Sequence, residues 1–130
     1  MNTEGSIQQA GDNGREVADL PEDDVPHVLV VDDSPDIVEL LTDTLSQHGY
    51  RVSSAVNGPE ALLSVQSAPP DLVLLDVGLK DMDGFEVCRR LKSDDRNTTL
   101  PIVFISGLGD ALDIIKGFRA GGIDYIAKPF

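Results

Sequence analysis

Tryptophan is absent from this chain, cysteine occurs once, at Cys88, and no apolar run comes near the ~20 residues that a membrane-spanning helix needs. The lone cysteine excludes an internal disulfide and suits a reducing compartment. Basic residues are scarce: ten Lys and Arg stand against 23 Asp and Glu, a formal net charge of -13. Nucleic acids and anionic membranes are bound through clustered cations that displace counterions, so neither is expected as a direct ligand. A cation fits this surface better. The two histidines, His27 and His48, lack ligand-like spacing and are read as structural or exposed. The N-terminus has neither the basic flank nor the apolar stretch of a secretion signal, and a cytoplasmic location is expected.

What is present is enough apolar material, 41% over 130 residues, for one buried core. Residues 1–26 hold seven acids against Arg15, with Ile7, Val17 and Leu20 as isolated large apolar residues. That composition buries little, and the segment is read as a flexible acidic leader. From His27 onward, short apolar runs alternate with stretches of helical period, the pattern of a parallel sheet with crossover helices. Five strands are expected at 27–31, 51–55, 71–75, 101–105 and 123–127, the third and fourth buried on both faces. Ser34 followed by Pro35 marks the start of a first helix with Ile37, Leu40, Leu41, Thr44 and Leu45 on one face. Asn57-Gly58-Pro59 opens a second, with Ala61, Leu62 and Val65 inward. Gly84 precedes a third carrying Phe85, Cys88 and Leu91. Asp110 can cap a fourth, with Ala111, Ile114, Ile115 and Phe118 apolar and Gly121 or Gly122 closing it.

An open parallel sheet binds ligands beyond the carboxyl ends of its strands. Four of the five expected ends carry functional groups: Asp32 and Asp33 after the first, Asp76 after the third, Ser106 after the fourth and Lys128 after the fifth. If the first and third strands are neighbours, three carboxylates converge. Such a cluster must take up protons or bind a cation, and hard oxygen ligands in a part-open site favour Mg²⁺. A carboxylate can accept a phosphoryl group covalently, provided that a metal, a cation and hydrogen-bond donors surround the developing charge. Lys128 and Ser106 can supply the last two. Taken singly, each residue has a plainer reading: Asp76 or the Asp32-Asp33 pair as turn formers, Ser106 as loop, Lys128 as a surface lysine, Tyr125 as a half-buried strand aromatic. Their coincidence at four strand ends favours the functional reading. Asp81, Asp83 and Gly84 resemble part of a calcium loop but lack its regular series and terminal glutamate.

The blocks VLVVDDSP, NGPEAL, DLVLLDVGLKDMDG, PIVFISG and GIDYIAKPF, in this order and spacing, resemble the receiver domains of bacterial response regulators and hybrid kinases. The resemblance covers residues 27–130. It implies a doubly wound, flavodoxin-like α/β fold with strand order 2-1-3-4-5, and Asp76 as phosphoacceptor. It further implies that Mg²⁺ is held by Asp33, Asp76 and the Gly78 carbonyl, with Asp32 acting mainly through water. Ser106, Tyr125 and Lys128 match the switch hydroxyl, the switch aromatic and the phosphate-binding lysine. Gly78 and Leu108 match positions that tune dephosphorylation, and the Lys128-Pro129 peptide is expected to be cis.

Two departures stand out. Lys80 occupies a position where the family usually has proline, adding a cation near the acidic site. The chain also reaches Phe130 where the family's final helix would begin, so a truncated receiver with an output domain following it is expected, together with possible self-association through the uncovered sheet. The functional expectation is a signalling module that is phosphorylated by a histidine kinase or a histidine phosphotransfer protein, not a turnover enzyme. The alternative is a Mg²⁺-dependent phosphohydrolase that forms an aspartyl-phosphate intermediate, although Gly78 stands where such enzymes usually place a second acid.

Overall fold

A computed structural model describes residues 24–106, 120–122 and 124–127, the last segment without the side chains of Tyr125 and Ala127. Its elements are β1 (His27–Val31), α1 (Pro35–Gln47), β2 (Arg51–Ala55), α2 (Gly58–Ser67), β3 (Leu72–Asp76), α3 (Gly84–Lys92), a single 3-10 turn (Asp95–Asn97), β4 (Ile102–Ser106) and β5 (Asp124–Ala127). The five strands are all parallel, in the order β2-β1-β3-β4-β5. Strand order reverses at β1, the switch point where the edges of β1 and β3 face one another at their carboxyl ends. The expected topology is therefore met. The proposed 1–26 leader and the fourth helix fall mostly outside the described residues, as do Leu108, Ile123, Lys128 and the Lys128-Pro129 peptide.

Burial follows from two-sided covering of the sheet. β1 and β4 are buried along their whole length, and β3 along all but its first residue. One core lies between the sheet and α2 and α3, with Leu29, Val31, Val73, Leu75, Phe85, Val87, Leu91, Ile102 and Phe104. Phe85 and Phe104 pack with ring centroids 5.1 Å apart. The second core lies beneath α1 and holds Val28, Val30, Leu74 and Val103. Alternate residues of each strand thus serve opposite faces, as the pleat requires.

Two local readings of the sequence need correction. β3 and β4 each run one residue later than expected, because the ladder continues through Asp76 opposite Ile105 and Ser106 opposite Ala127. Both functional residues are therefore the last of their strands, held by the sheet instead of a following loop. On α1, the inward face is Val38, Leu41 and Leu45, while Leu40 is 47% exposed and Thr44 also faces solvent. The spacing offered two adjacent apolar stripes, and the sheet beneath chose the narrower.

Helix starts were legible. Asn57 caps α2 by accepting from the Glu60 N–H at 2.8 Å, and Glu60 accepts in turn from the Val56 N–H at 3.1 Å. Reciprocal bonds of this kind satisfy donors that a helix leaves open. Asp83 caps α3 through the Glu86 N–H at 2.8 Å. Asp83 thus has a capping role at the start of α3. Gly121 has φ of 109°, a left-handed conformation suited to the closing glycine expected there. Cys88 is buried and donates to the Ala120 carbonyl at 3.1 Å, with burial pushing its thiol up to about 11.

Candidate functional site

At the carboxyl end of β1 the chain has just left the sheet, yet the Asp32 N–H still donates to the Ala55 carbonyl at 3.1 Å, extending the β1–β2 ladder by one step. Asp32 is fully buried. One of its carboxylate oxygens accepts from the Ser34 N–H at 2.9 Å, a turn that leads directly into α1. Ser34 itself stands at the N-cap of α1 but makes no side-chain cap bond.

Asp76 closes β3 and is 6% exposed. Because β1 and β3 are adjacent, Asp32, the half-buried Asp33 and Asp76 each bring a carboxylate oxygen into a group whose members all lie within 4.8 Å of one another. The convergence read from the sequence is met. Two ionised carboxylates at that separation repel by roughly 3 kcal/mol or more at an effective dielectric of about 20. Three hard oxygen donors at part-buried positions fit a small divalent cation, which removes that repulsion. Ser106 ends β4, the next strand, and is also buried. Tyr125 lies on β5 opposite Phe104.

The loop after Asp76 is held closely. The Val77 N–H donates to the Ile105 carbonyl at 3.1 Å, and the Gly84 N–H returns to the Val77 carbonyl at 3.0 Å. Val77 and Leu79 are buried, whereas Gly78, Lys80 and Asp81 are exposed. A side chain at Gly78 would start 3.9 to 4.0 Å from the two carboxylate oxygens of Asp76, an ordinary contact distance. Gly84 differs: a Cβ there would overlap the Asp76 carbonyl oxygen and come within 2.9 Å of Val77 Cα. Sequence reasoning read Gly84 as a helix boundary and missed this approach of α3 to the backbone of Asp76. Nothing in a lone glycine distinguishes the two uses. His27 and His48 stand apart from the site, His27 against Ser53 Oγ at 2.7 Å and the exposed His48 against the Thr44 carbonyl at 2.9 Å.

Residues 28–130 match the family described as response regulator receiver domain. Among curated proteins, the DNA-binding dual master transcriptional regulator RpaA of Synechocystis sp. is 40% identical over 106 residues, which are 82% of this chain and 44% of that protein. The response regulator PleD of Caulobacter vibrioides is 43% identical over 102 residues, 78% of this chain and 22% of PleD. The chain thus spans less than half the length of these relatives. Among solved structures, chemotaxis protein CheY4 of Vibrio cholerae superposes with a TM-score of 0.79 at 31% identity, covering 82% of this chain and 88% of the other.

Proposed function

The chain belongs to the response regulator receiver domain family, a family of signalling domains, and from that premise we propose that Asp76 is its phosphoacceptor. The observation that carries this reading is the meeting of Asp32, Asp33 and Asp76 within 4.8 Å. Of the three, Asp76 ends a central strand, directly beside the strand that ends in Ser106.

In the proposed reaction, a carboxylate oxygen of Asp76 attacks the phosphorus of a phosphohistidine on a histidine kinase or histidine phosphotransfer protein. A P–O bond forms and the P–N bond breaks, with the electron pair and then a proton going to the departing imidazole nitrogen. Asp32, Asp33, Asp76 and the Gly78 carbonyl would hold Mg²⁺. When bound, that ion offsets the charge of the carboxylates and of the phosphoryl oxygens. Ser106 donates its hydroxyl to the phosphoryl group once it is in place, and Lys128 pairs with it as a point charge. Hydrolysis of the acyl phosphate resets the domain. Gly78 and Leu108 flank the path of the attacking water and tune its access.

The two states differ in charge at Asp76, and the response runs through Ser106 and Tyr125 to an output. None of the relatives described above supports a phosphohydrolase. The test is incubation with Mg²⁺ and a small phosphodonor, followed by intact-mass analysis. One phosphoryl group should be added to the wild type and none to Asp76→Asn; equal labelling of both would overturn the assignment.

A further inference from the structure

Gly58, the first residue of α2, is buried, and a Cβ at that position would lie 3.0 Å from both Met82 Cβ and Val87 Cγ2, and 3.1 Å from Met82 Sδ. Met82 therefore rests directly on the α2 backbone. It belongs to the loop that leaves Asp76, and it packs against the core from a half-buried position. Elsewhere this loop is fixed at its ends by the Gly84 N–H bond to the Val77 carbonyl and in its first half by buried Leu79. The stop provided by α2 is itself firm, because Asn57 and Glu60 cap its first turn.

We propose that Gly58 is a positioning residue for the Asp76 site: the closeness that it allows to Met82 sets the height of the 78–83 loop, and with it the place of the Gly78 backbone beside the Asp76 carboxylate. This rests on the reading of Asp76 and its neighbours as a Mg²⁺ and phosphoryl site. The atom of Met82 nearest to Gly58 is Cβ, not the flexible end of the side chain. A methyl group at Gly58 cannot be accommodated by a rotamer change of the thioether alone; the loop backbone or Val87 must move by a few tenths of an ångström. Small displacements of ligand-bearing atoms are costly to a preorganised site, in which reacting groups must be held to within about 0.5 Å. Gly58 touches neither the ion nor the phosphoryl group. It acts through Met82 on the loop.

The test uses the full chain in four forms: wild type, Gly58→Ala, Met82→Gly and Met82→Leu, each measured for Mg²⁺ affinity by calorimetry and for phosphorylation rate with a small phosphodonor. Gly58→Ala raises the loop, and Met82→Gly removes the Cβ that meets Gly58, so each should weaken Mg²⁺ binding by about 3- to 10-fold and slow phosphorylation, on the scale expected for a misplaced ligand. Met82→Leu, similar in volume, should stay within about twofold of the wild type. Val65→Ala, a core truncation on the far turns of α2, serves as a stability-matched control that lowers the melting temperature without changing Mg²⁺ affinity. If Gly58→Ala does not fold, the two Met82 variants decide alone. Wild-type Mg²⁺ affinity in both Gly58→Ala and Met82→Gly, or an equal loss in Val65→Ala, would overturn the proposal. A wild type that takes neither Mg²⁺ nor a phosphoryl group would instead overturn the reading of the site on which it rests.

Discussion

At the amino end of the sheet, Asp71 accepts from the His27 N–H at 2.8 Å while its own N–H donates to the His27 carbonyl at 2.7 Å, and the His27 ring meets Ser53 at 2.7 Å. One carboxylate is thus spent on joining the entries of β1 and β3. At the carboxyl end the same two strands bring together Asp32, Asp33 and Asp76, three like charges with oxygens within 4.8 Å. Local bonds such as that from the Ser34 N–H to Asp32 support that end, and a divalent cation would offset the repulsion among ionised carboxylates gathered there. The amino end uses its carboxylate to join two strands, whereas the carboxyl end gathers three acidic side chains as oxygen donors. Among the described residues three acidic side chains come together in this way at the carboxyl end, which suits that end to a ligand of opposite charge.

The largest expected effect comes from crowding the carboxyl end. Gly84→Ala places a methyl group onto the Asp76 carbonyl oxygen, and should cost about 3 kcal/mol in urea unfolding, at the upper end for overpacking. Next is the response to metal. Mg²⁺ at 100 times its dissociation constant should stabilise the wild type by about 2.7 kcal/mol, because the unfolded chain has no assembled cluster. Calorimetric melting with and without Mg²⁺ checks this: Asp33→Ala should lose most of the response, and an Asp71→Ala protein should keep it. A wild-type melt indifferent to Mg²⁺ would erase the contrast between the two ends.

Breaking the amino end should cost less. Asp71 is exposed, and Asp71→Ala removes one charge-assisted hydrogen bond to His27, worth about 1 to 2 kcal/mol in chemical denaturation, with phosphorylation unchanged. The smallest effect is kinetic. Gly78→Met adds bulk that begins at contact distance from the Asp76 carboxylate, and should slow loss of the phosphoryl group about threefold, less than 1 kcal/mol of barrier. Decay followed by mass over time would reveal it, and unchanged or faster decay would count against water approaching past Gly78.

The carboxyl end was the more legible of the two in the sequence. Strands β3 and β4 are nearly continuous apolar runs, so the polar residues that end them stood out, and only the assignment of Asp76 and Ser106 to the strands themselves came from ladder pairing. The amino end gave no such signal. His27, Ser53 and Asp71 are 26 and 44 residues apart along the chain in the bonds that they make, and no local pattern announces a contact that the register of three strands creates. The same limit applies to Gly58, Met82 and Gly84, whose importance lies in how closely two backbones approach. On α1 the difficulty was different: Ile37, Val38, Leu40, Leu41 and Leu45 permit more than one inward face, and only the neighbouring sheet selects Val38, Leu41 and Leu45.

The central claim is that Asp76, of the three clustered carboxylates, is the acceptor. After incubation with Mg²⁺ and a small phosphodonor, hydroxylamine converts an aspartyl phosphate to a stable hydroxamate, and peptide mass spectrometry identifies the residue that carries it. The account predicts a hydroxamate at Asp76, dependent on both Mg²⁺ and the donor. A hydroxamate at Asp32 or Asp33, or none at Asp76 in a protein that has gained a phosphoryl group, would contradict it.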